Sequence, residues 1–305
     1  MIDLHSHTLP RVDDGPVRDA DSVEMARLAA ADGVRVIACT PHRSRNTPTT
    51  PARVAAGIDE LQPAIDAAGI DVRLVPGLEV TIEQAATMNE DELRAASLGG
   101  GGRWLLIEMP FQGWPLELPE LLTALEVRGF GAVIAHPERA QAVQTSPDRM
   151  REIVGRGALL QLTAGSISGE NGPRPLRTAA QLLRAGFAHV IASDMHSPTW
   201  RPPGLTAGLT AAAEILKTTP DQVGWMVDGV PRAIIEGRDV RAPKLGKAPR
   251  SGSRRTSGGV SRTKTEPGED GVSRRYRSPR TVGPRTMPGD GLQPRSIVVL
   301  ATGTT

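Results

Sequence analysis

The chain has 305 residues, room for one large domain or two small ones, and its single cysteine, Cys39, excludes an internal disulfide. Residues 241–305 hold 14 Lys/Arg and 4 Asp/Glu, which leaves 22 and 30 in residues 1–240, so a net charge of +2 covers an acidic body and a basic tail. An acidic body suits cation binding and argues against a nucleic-acid surface. No apolar run is long enough to cross a bilayer, and the opening MIDLHSH has neither the basic start nor the apolar stretch of a signal peptide. Together with the lone cysteine this predicts a cytoplasmic protein.

Strand candidates begin with MIDL at 1–4 and continue with RVIAC at 35–39, VRLVPG at 72–77 and RWLLIEM at 103–109. GAVIAH at 131–136, ALLQLT at 158–163 and HVIASD at 189–194 complete seven. Between them, 19–32, 51–68, 117–128, 146–155 and 174–185 carry helical spacing, followed by 205–217 and a short helix opening at Thr219-Pro220. Mostly apolar strands separated by helices predict an α/β fold, a parallel sheet covered by helices. No Gly-rich nucleotide loop follows a strand. The polar candidates fall at the carboxyl ends of nearly every strand, which favours a barrel whose loops converge on one site. After IIEGRDV the composition turns to Arg, Gly, Pro, Ser and Thr, too poor in apolar side chains to offset the entropy of ordering. The expected division is a folded domain over 1–240 and a disordered basic tail over 241–305.

Five of the six histidines sit in strand-end motifs: His5 and His7 in DLHSH, His42 in CTPHR, His136 in AHPER and His196 in SDMHS. Asp14, Glu79, Glu108 and Asp194 occupy similar positions. In an extended segment the two-residue spacing of His5 and His7 puts both imidazoles on one side. Glu108 is flanked by apolar residues, where a carboxylate is costly unless paired or coordinated. Singly, each has a plain structural alternative: a paired barrel-end glutamate, a buried histidine, a helix cap. Recurrence at strand after strand favours a multinuclear metal site, with imidazole and carboxylate ligands suiting Mn, Fe or Zn. His189 begins a strand on the opposite face and reads as structural. Asp3 reads as a buried support rather than a direct ligand. Cys39 lies in an apolar strand with no Cx5R loop after it, and reads as core.

These motifs resemble those of the polymerase and histidinol phosphatase (PHP) superfamily of phosphoesterases. Within it the chain is similar to the bacterial protein-tyrosine phosphatases associated with capsule and exopolysaccharide synthesis. The resemblance rests on IDLHSHTLPRVDDGP, CTPHR, PGLEV, LLIEMP, AHPER and SDMHS, and covers about residues 1–240. It implies a distorted seven-stranded (β/α) barrel of PHP type with three metal ions, manganese in the first instance. It assigns His5, His7, Glu79 and Asp194 to one metal. Glu79 bridges to a second held by Glu108 and His136, and Asp14, His42 and His196 hold a third. Arg139 and Arg201 match arginines that contact phosphate; their structural alternative is pairing with carboxylates such as Glu138. The implied substrate is a phosphotyrosine protein, the Tyr-rich tail of a bacterial tyrosine kinase. The alternatives are a small-molecule phosphomonoesterase of the histidinol-phosphatase type, a PHP-type nuclease, or a metal-binding regulator without activity. Two departures bear on substrate preference: Arg43 stands where relatives carry a second histidine, and QLTAGSISGENG matches an Asn-rich segment only loosely. The one tyrosine, Tyr276, lies in the tail.

Overall fold

The computed structural model describes residues 1–240; the basic segment 241–305, with Tyr276, lies outside the described residues. Among the described residues nine strands are interspersed with helices: β1 (Ile2–Ser6), β2 (Val36–Cys39), β3 (His42–Arg43), β4 (Arg73–Pro76), β5 (Glu79–Thr81), β6 (Trp104–Glu108), β7 (Gly131–Ala135), β8 (Leu159–Thr163) and β9 (Ala188–Ala192). They are the seven predicted passes, two of them interrupted. Thr40-Pro41 separates β2 from β3, where proline has no N–H for the ladder. Gly77-Leu78 separates β4 from β5. A Cβ on Gly77 would lie 3.0 Å from Thr40 Cγ2 and 3.1 Å from Leu98 Cδ2, so glycine lets the two broken passes lie close.

All strand pairs are parallel. They form a three-stranded sheet, β1-β2-β4, and a six-stranded sheet, β3-β5-β6-β7-β8-β9. The ladder is thus two sheets rather than one continuously bonded ring of seven strands. Just past β9 the chain meets β1 again. The Asp194 N–H donates to His5 O and the His7 N–H to Met195 O, each at 2.9 Å.

Alternation along the strands sorts the core into two clusters. Leu105, Ile107, Ile134, Leu160 and Ile191 face the helices. Leu4, Ala38, Val75, Trp104, Leu106, Val133, Leu159 and Val190 form the inner cluster. The helix Gly229–Ile235 contributes Val230, Ile234 and Ile235 to that inner cluster, at the amino-terminal ends of the strands. The carboxyl ends remain for the polar residues. A register shift between Asp3 and Ser6 breaks strict alternation in β1. Leu4 therefore joins the inner cluster while its neighbour His5 also turns inward, onto Gln161 of β8.

The longer helices fall where periodicity places them: Asp19–Ala31, Pro51–Ala67, Leu118–Val127, Pro173–Arg184 and Leu205–Leu216. Thr50 caps the second by accepting from the Arg53 N–H, with Pro51 at the first helical position. The helix expected over 146–155 is shorter; a 3-10 turn at Pro147–Arg149 precedes Met150–Gly155. Helices Ile82–Thr87 and Glu90–Ala96 occupy a stretch without a periodic signal. The second starts at a reciprocal box in which Asn89 and Glu92 accept from each other's backbone N–H. No helix of the described residues is long and apolar enough to cross a membrane.

Candidate metal centre

The nine predicted ligands meet at the carboxyl ends of the strands. Glu79, at the start of β5, is their centre. Its Oε1 lies 2.8 Å from His136 Nε2. Its Oε2 lies 3.3 Å from His5 Nε2, 3.4 Å from His7 Nε2 and 3.0 Å from His42 Nδ1. Asp194 Oδ1 is 3.5 Å from both His5 Nε2 and His7 Nε2. Glu108 Oε2 is 3.6 Å from His42 Nδ1. Asp14 reaches in from the loop after β1, with Oδ1 3.4 Å from His196 Nε2 and 3.6 Å from His42 Nε2. Four groups able to hold a cation result: His5, His7 and Asp194; His5, Glu79 and His136; His42, Glu79 and Glu108; and His7, Asp14, His42 and His196.

The local backbone is shaped for this convergence. His136 and Asp194, just past β7 and β9, have φ of +31° and +54°. Non-glycine residues adopt that region at a cost, and such strain concentrates at functional positions. Gly15 allows the β1 loop to fold back, since a Cβ there would lie 2.3 Å from His7 O. The turn lets Asp13 Oδ1 accept from the Gly15 N–H at 3.0 Å.

Two supporting residues lie outside the predicted set. Gln161 Oε1 lies 2.9 Å from His5 Nδ1, and Asp13 Oδ2 lies 2.6 Å from His7 Nδ1. An acceptor on one ring nitrogen fixes the tautomer and aims the other nitrogen at the cluster. His5 Nε2 and His7 Nε2 accordingly come within 3.2 Å of each other. Asp13 Oδ2 also accepts from the His42 N–H at 3.0 Å, so one carboxylate ties two ligand segments together. Only the DDG spacing hints at Asp13, and nothing in the sequence marks Gln161.

The electrostatics favour a cation here. Burial alone lowers the His7 imidazole, but hydrogen bonds to Asp13 and Glu79 and their charges outweigh it and hold it up at about 9. Burial is likewise outweighed at His42, held at about 9 by Glu79, Glu108 and Asp14. Burial would raise Glu79, yet His5 and His136 hold it well below the usual carboxylate range. Asp194 sits at about 2, where His5, His136 and Arg201 override its burial. Glu108 is pushed up by burial and then by the Glu79 charge. The buried Glu79 Oε2 has no aligned hydrogen-bond donor, although three imidazole nitrogens surround it. Lone pairs converging on a small volume, with a buried carboxylate oxygen left over, fit bound divalent metal.

Both predicted arginines border the cluster. Arg139 Nη1 donates to Asp194 Oδ2 at 2.8 Å, and Arg201 Nη2 donates to the same oxygen. Arg201 Nη1 also lies 3.3 Å from His196 Nε2. The carboxylate they meet is Asp194, not Glu138. Glu138 is buried and its Oε1 accepts from the Thr163 N–H at 3.0 Å. Arg43 turns away, donating to Thr49 O at 3.1 Å. The remaining candidates contribute no atom to the converging groups. Asp3 accepts from Ser193 N at 3.0 Å and from Ser193 Oγ. His189 Nδ1 accepts from Leu160 N at 3.1 Å. Cys39 is buried, and burial pushes its thiol up, out of reach of a thiolate role.

A family model described as capsular polysaccharide synthesis, CpsB/CapC, matches residues 1–222. The chain is 35% identical over 198 residues to the tyrosine-protein phosphatase YwqE of Bacillus subtilis (strain 168), spanning 65% of this chain and 78% of that relative. It is 28% identical over 211 residues to the tyrosine-protein phosphatase CpsB of Streptococcus pneumoniae, spanning 67% and 86%. In three dimensions it is similar to a crystal structure from work on those two proteins, described there as unique metal-dependent tyrosine phosphatases. The TM-score is 0.71 at 29% identity, covering 82% of this chain and 100% of that one. With its family model spanning well over half its length and a relative above 30% identity, the chain belongs to the CpsB/CapC family of capsular polysaccharide synthesis.

Proposed function

We propose that the protein is a metal-dependent protein-tyrosine phosphatase that hydrolyses phosphotyrosine on a bacterial tyrosine kinase controlling capsule or exopolysaccharide synthesis. The observation that carries this is the convergence of five imidazoles and four carboxylates, Glu79 at their centre, in a chain whose relatives bear the name tyrosine-protein phosphatase. We assign three manganese ions. His5, His7, Glu79 and Asp194 would hold the first; Glu79, Glu108 and His136 the second; Asp14, His42 and His196 the third. His7 can approach the third group as well, but Asp13 occupies its Nδ1 and leaves Nε2 for the first. The seven passes would then act as a distorted (β/α) barrel, the domain would end near residue 240, and the work would be done in the cytoplasm.

Divalent metal at such a site lowers the pKa of water toward neutrality and draws charge from phosphoryl oxygens. The chain's own part is to place ligands and grip phosphate. Gln161 and Asp13 hold His5 and His7 in the productive tautomer. Arg139 and Arg201 stand where their planar forks can take phosphoryl oxygens as charge develops. A phenolate leaves readily, its parent acid having a pKa of about 10, so no strong acid need protonate it. The site is open: the Asp14 side chain is 62% exposed. That suits a phosphotyrosine on a protein surface better than a small molecule that must be enclosed.

The test compares kcat/KM on a phosphotyrosine peptide, histidinol phosphate and a nucleotide, in Mn²⁺ after chelator treatment. The peptide should lead clearly. Preference for histidinol phosphate would replace this reading with that of a small-molecule phosphatase.

A further inference from the structure

Beside the metal centre, on the His196 side, lies a cleft of about 370 Å³ bounded by Pro16, Val17, Arg18, Pro198 and Trp200. His196 lines both the cleft and the cluster. Five large apolar side chains are exposed among the described residues, and two of them line this cleft, Val17 at 72% and Trp200 at 65%. The Trp200 ring lies 5.8 Å from the His196 ring, tilted by 57°.

Trp200 is not exposed because its loop is loose. The His196 and Ser197 N–H groups both donate to Arg201 O, at 3.0 and 3.2 Å. Thr199 N donates to Ser197 Oγ at 3.2 Å. A loop tied this way holds one of the largest apolar side chains in water, which is unfavourable unless a partner covers it. The next residue, Arg201, reaches Asp194 and His196. Phosphate gripped by Arg201 beside the cluster would leave its ester substituent within reach of the cleft that His196 and Trp200 both line. The other exposed aromatic at the rim, Phe111, is already engaged. It stacks on His136 at 5.8 Å and 8° and lies under the Arg139 guanidinium at 5.1 Å.

We infer that the Trp200–Val17 cleft is the subsite for the aryl ring of the phosphotyrosine, with Trp200 as the residue that discriminates aryl from alkyl phosphate esters. This deepens the phosphatase reading above and rests on it. Aromatic pairs of this kind change affinity by several-fold to about tenfold.

The full-length protein in Mn²⁺ tests it in two ways. The ratio of kcat/KM for phenyl phosphate over glycerol phosphate should fall roughly tenfold in Trp200→Ala and stay within about threefold of wild type in Trp200→Phe. Independently of turnover, a peptide carrying phosphonomethyl-phenylalanine should quench tryptophan fluorescence in the wild type and much less in Trp200→Phe. Its Kd should rise in Trp200→Ala by roughly tenfold more than that of inorganic phosphate. Equal loss on both esters, or equal weakening of peptide and phosphate, would mean a merely structural Trp200 and overturn the assignment. A wild-type aryl preference left undiminished in Trp200→Ala removes the cleft alone. The absence of any aryl preference in the wild type removes the tyrosine-phosphatase reading and the cleft with it.

Discussion

Glu79 is the residue on which most contacts converge, since each of its oxygens faces imidazole nitrogens from other strands. Glu79→Gln keeps the shape but removes the charge. Metal occupancy should drop, and kcat should fall by at least about 100-fold, as expected when the group that anchors a metal-held nucleophile is lost. Metal analysis beside peptide kinetics decides it, and normal stoichiometry with near-normal turnover would refute the bridging role. The arginines separate differently. Arg139→Ala or Arg201→Ala should leave metal content intact and lower kcat/KM by roughly 10²–10³, the scale of one lost transition-state donor. Lysine should rescue poorly because a point charge lacks the bidentate fork. Full activity in both alanine variants would leave phosphate to the metals. The clustered histidines and carboxylates drew attention in the sequence because most stand at or just past the end of an apolar run, where a polar group needs a reason. Asp13 and Gln161 did not. Their importance lies in touching ring nitrogens of residues 6 and 156 positions away, a relation with no local signature.

At the level of elements, the seven passes were legible from their apolar runs, while the breaks at Thr40-Pro41 and Gly77-Leu78 were not. Proline and glycine mark a possible interruption, but whether pairing resumes depends on which neighbour is present beyond it. Here β3 pairs with β5 and β5 with β6, in the second sheet. The helices Ile82–Thr87 and Glu90–Ala96 escaped because six and seven residues carry too little periodicity to register. Near the start of β9 and outside the converging groups, His189 offers a separate test. Burial lowers its pKa from 6.5, and its Nδ1 serves as acceptor for Leu160 N. A depressed histidine pKa means the unfolded state binds the proton first. The stabilisation is therefore present above pH 6.5 and lost as pH falls toward the folded value, with a slope of at most about 1.4 kcal/mol per pH unit. His189→Gln, which retains an acceptor, should remove that component. Urea midpoints of the two proteins between about pH 5 and 7.5 should diverge on the acid side, the wild type losing more. Parallel curves would show that His189 does not titrate on unfolding.

The sequence divides by charge: an acidic body that brings four carboxylates and five imidazoles together in one cluster, and a basic segment, 241–305, outside the described residues. Composition places the boundary near residue 240, and the last contacts of the described chain sharpen the prediction. The indole N–H of the buried Trp104 donates to Arg238 O at 2.9 Å. Arg103 pairs with Asp239 at 2.5 Å, and Arg238 N returns to Ala233 O at 2.9 Å. The closing helix Gly229–Ile235 supplies Ile234 and Ile235 to the inner core beside Trp104. A chain ending after residue 240 keeps all of these. It should fold, bind the same metal and retain peptide phosphatase activity, and limited proteolysis of the full protein should stop at about that length. A chain ending after residue 236 leaves the Trp104 donor without its acceptor. The buried, unsatisfied N–H costs roughly 1–3 kcal/mol, so its urea midpoint should fall relative to the 240-residue chain while the clustered histidines and carboxylates, all upstream, remain. Equal stability of the two truncations would show that residues 237–240 add nothing to the core. Failure of the 240-residue chain to fold would move the boundary into the tail.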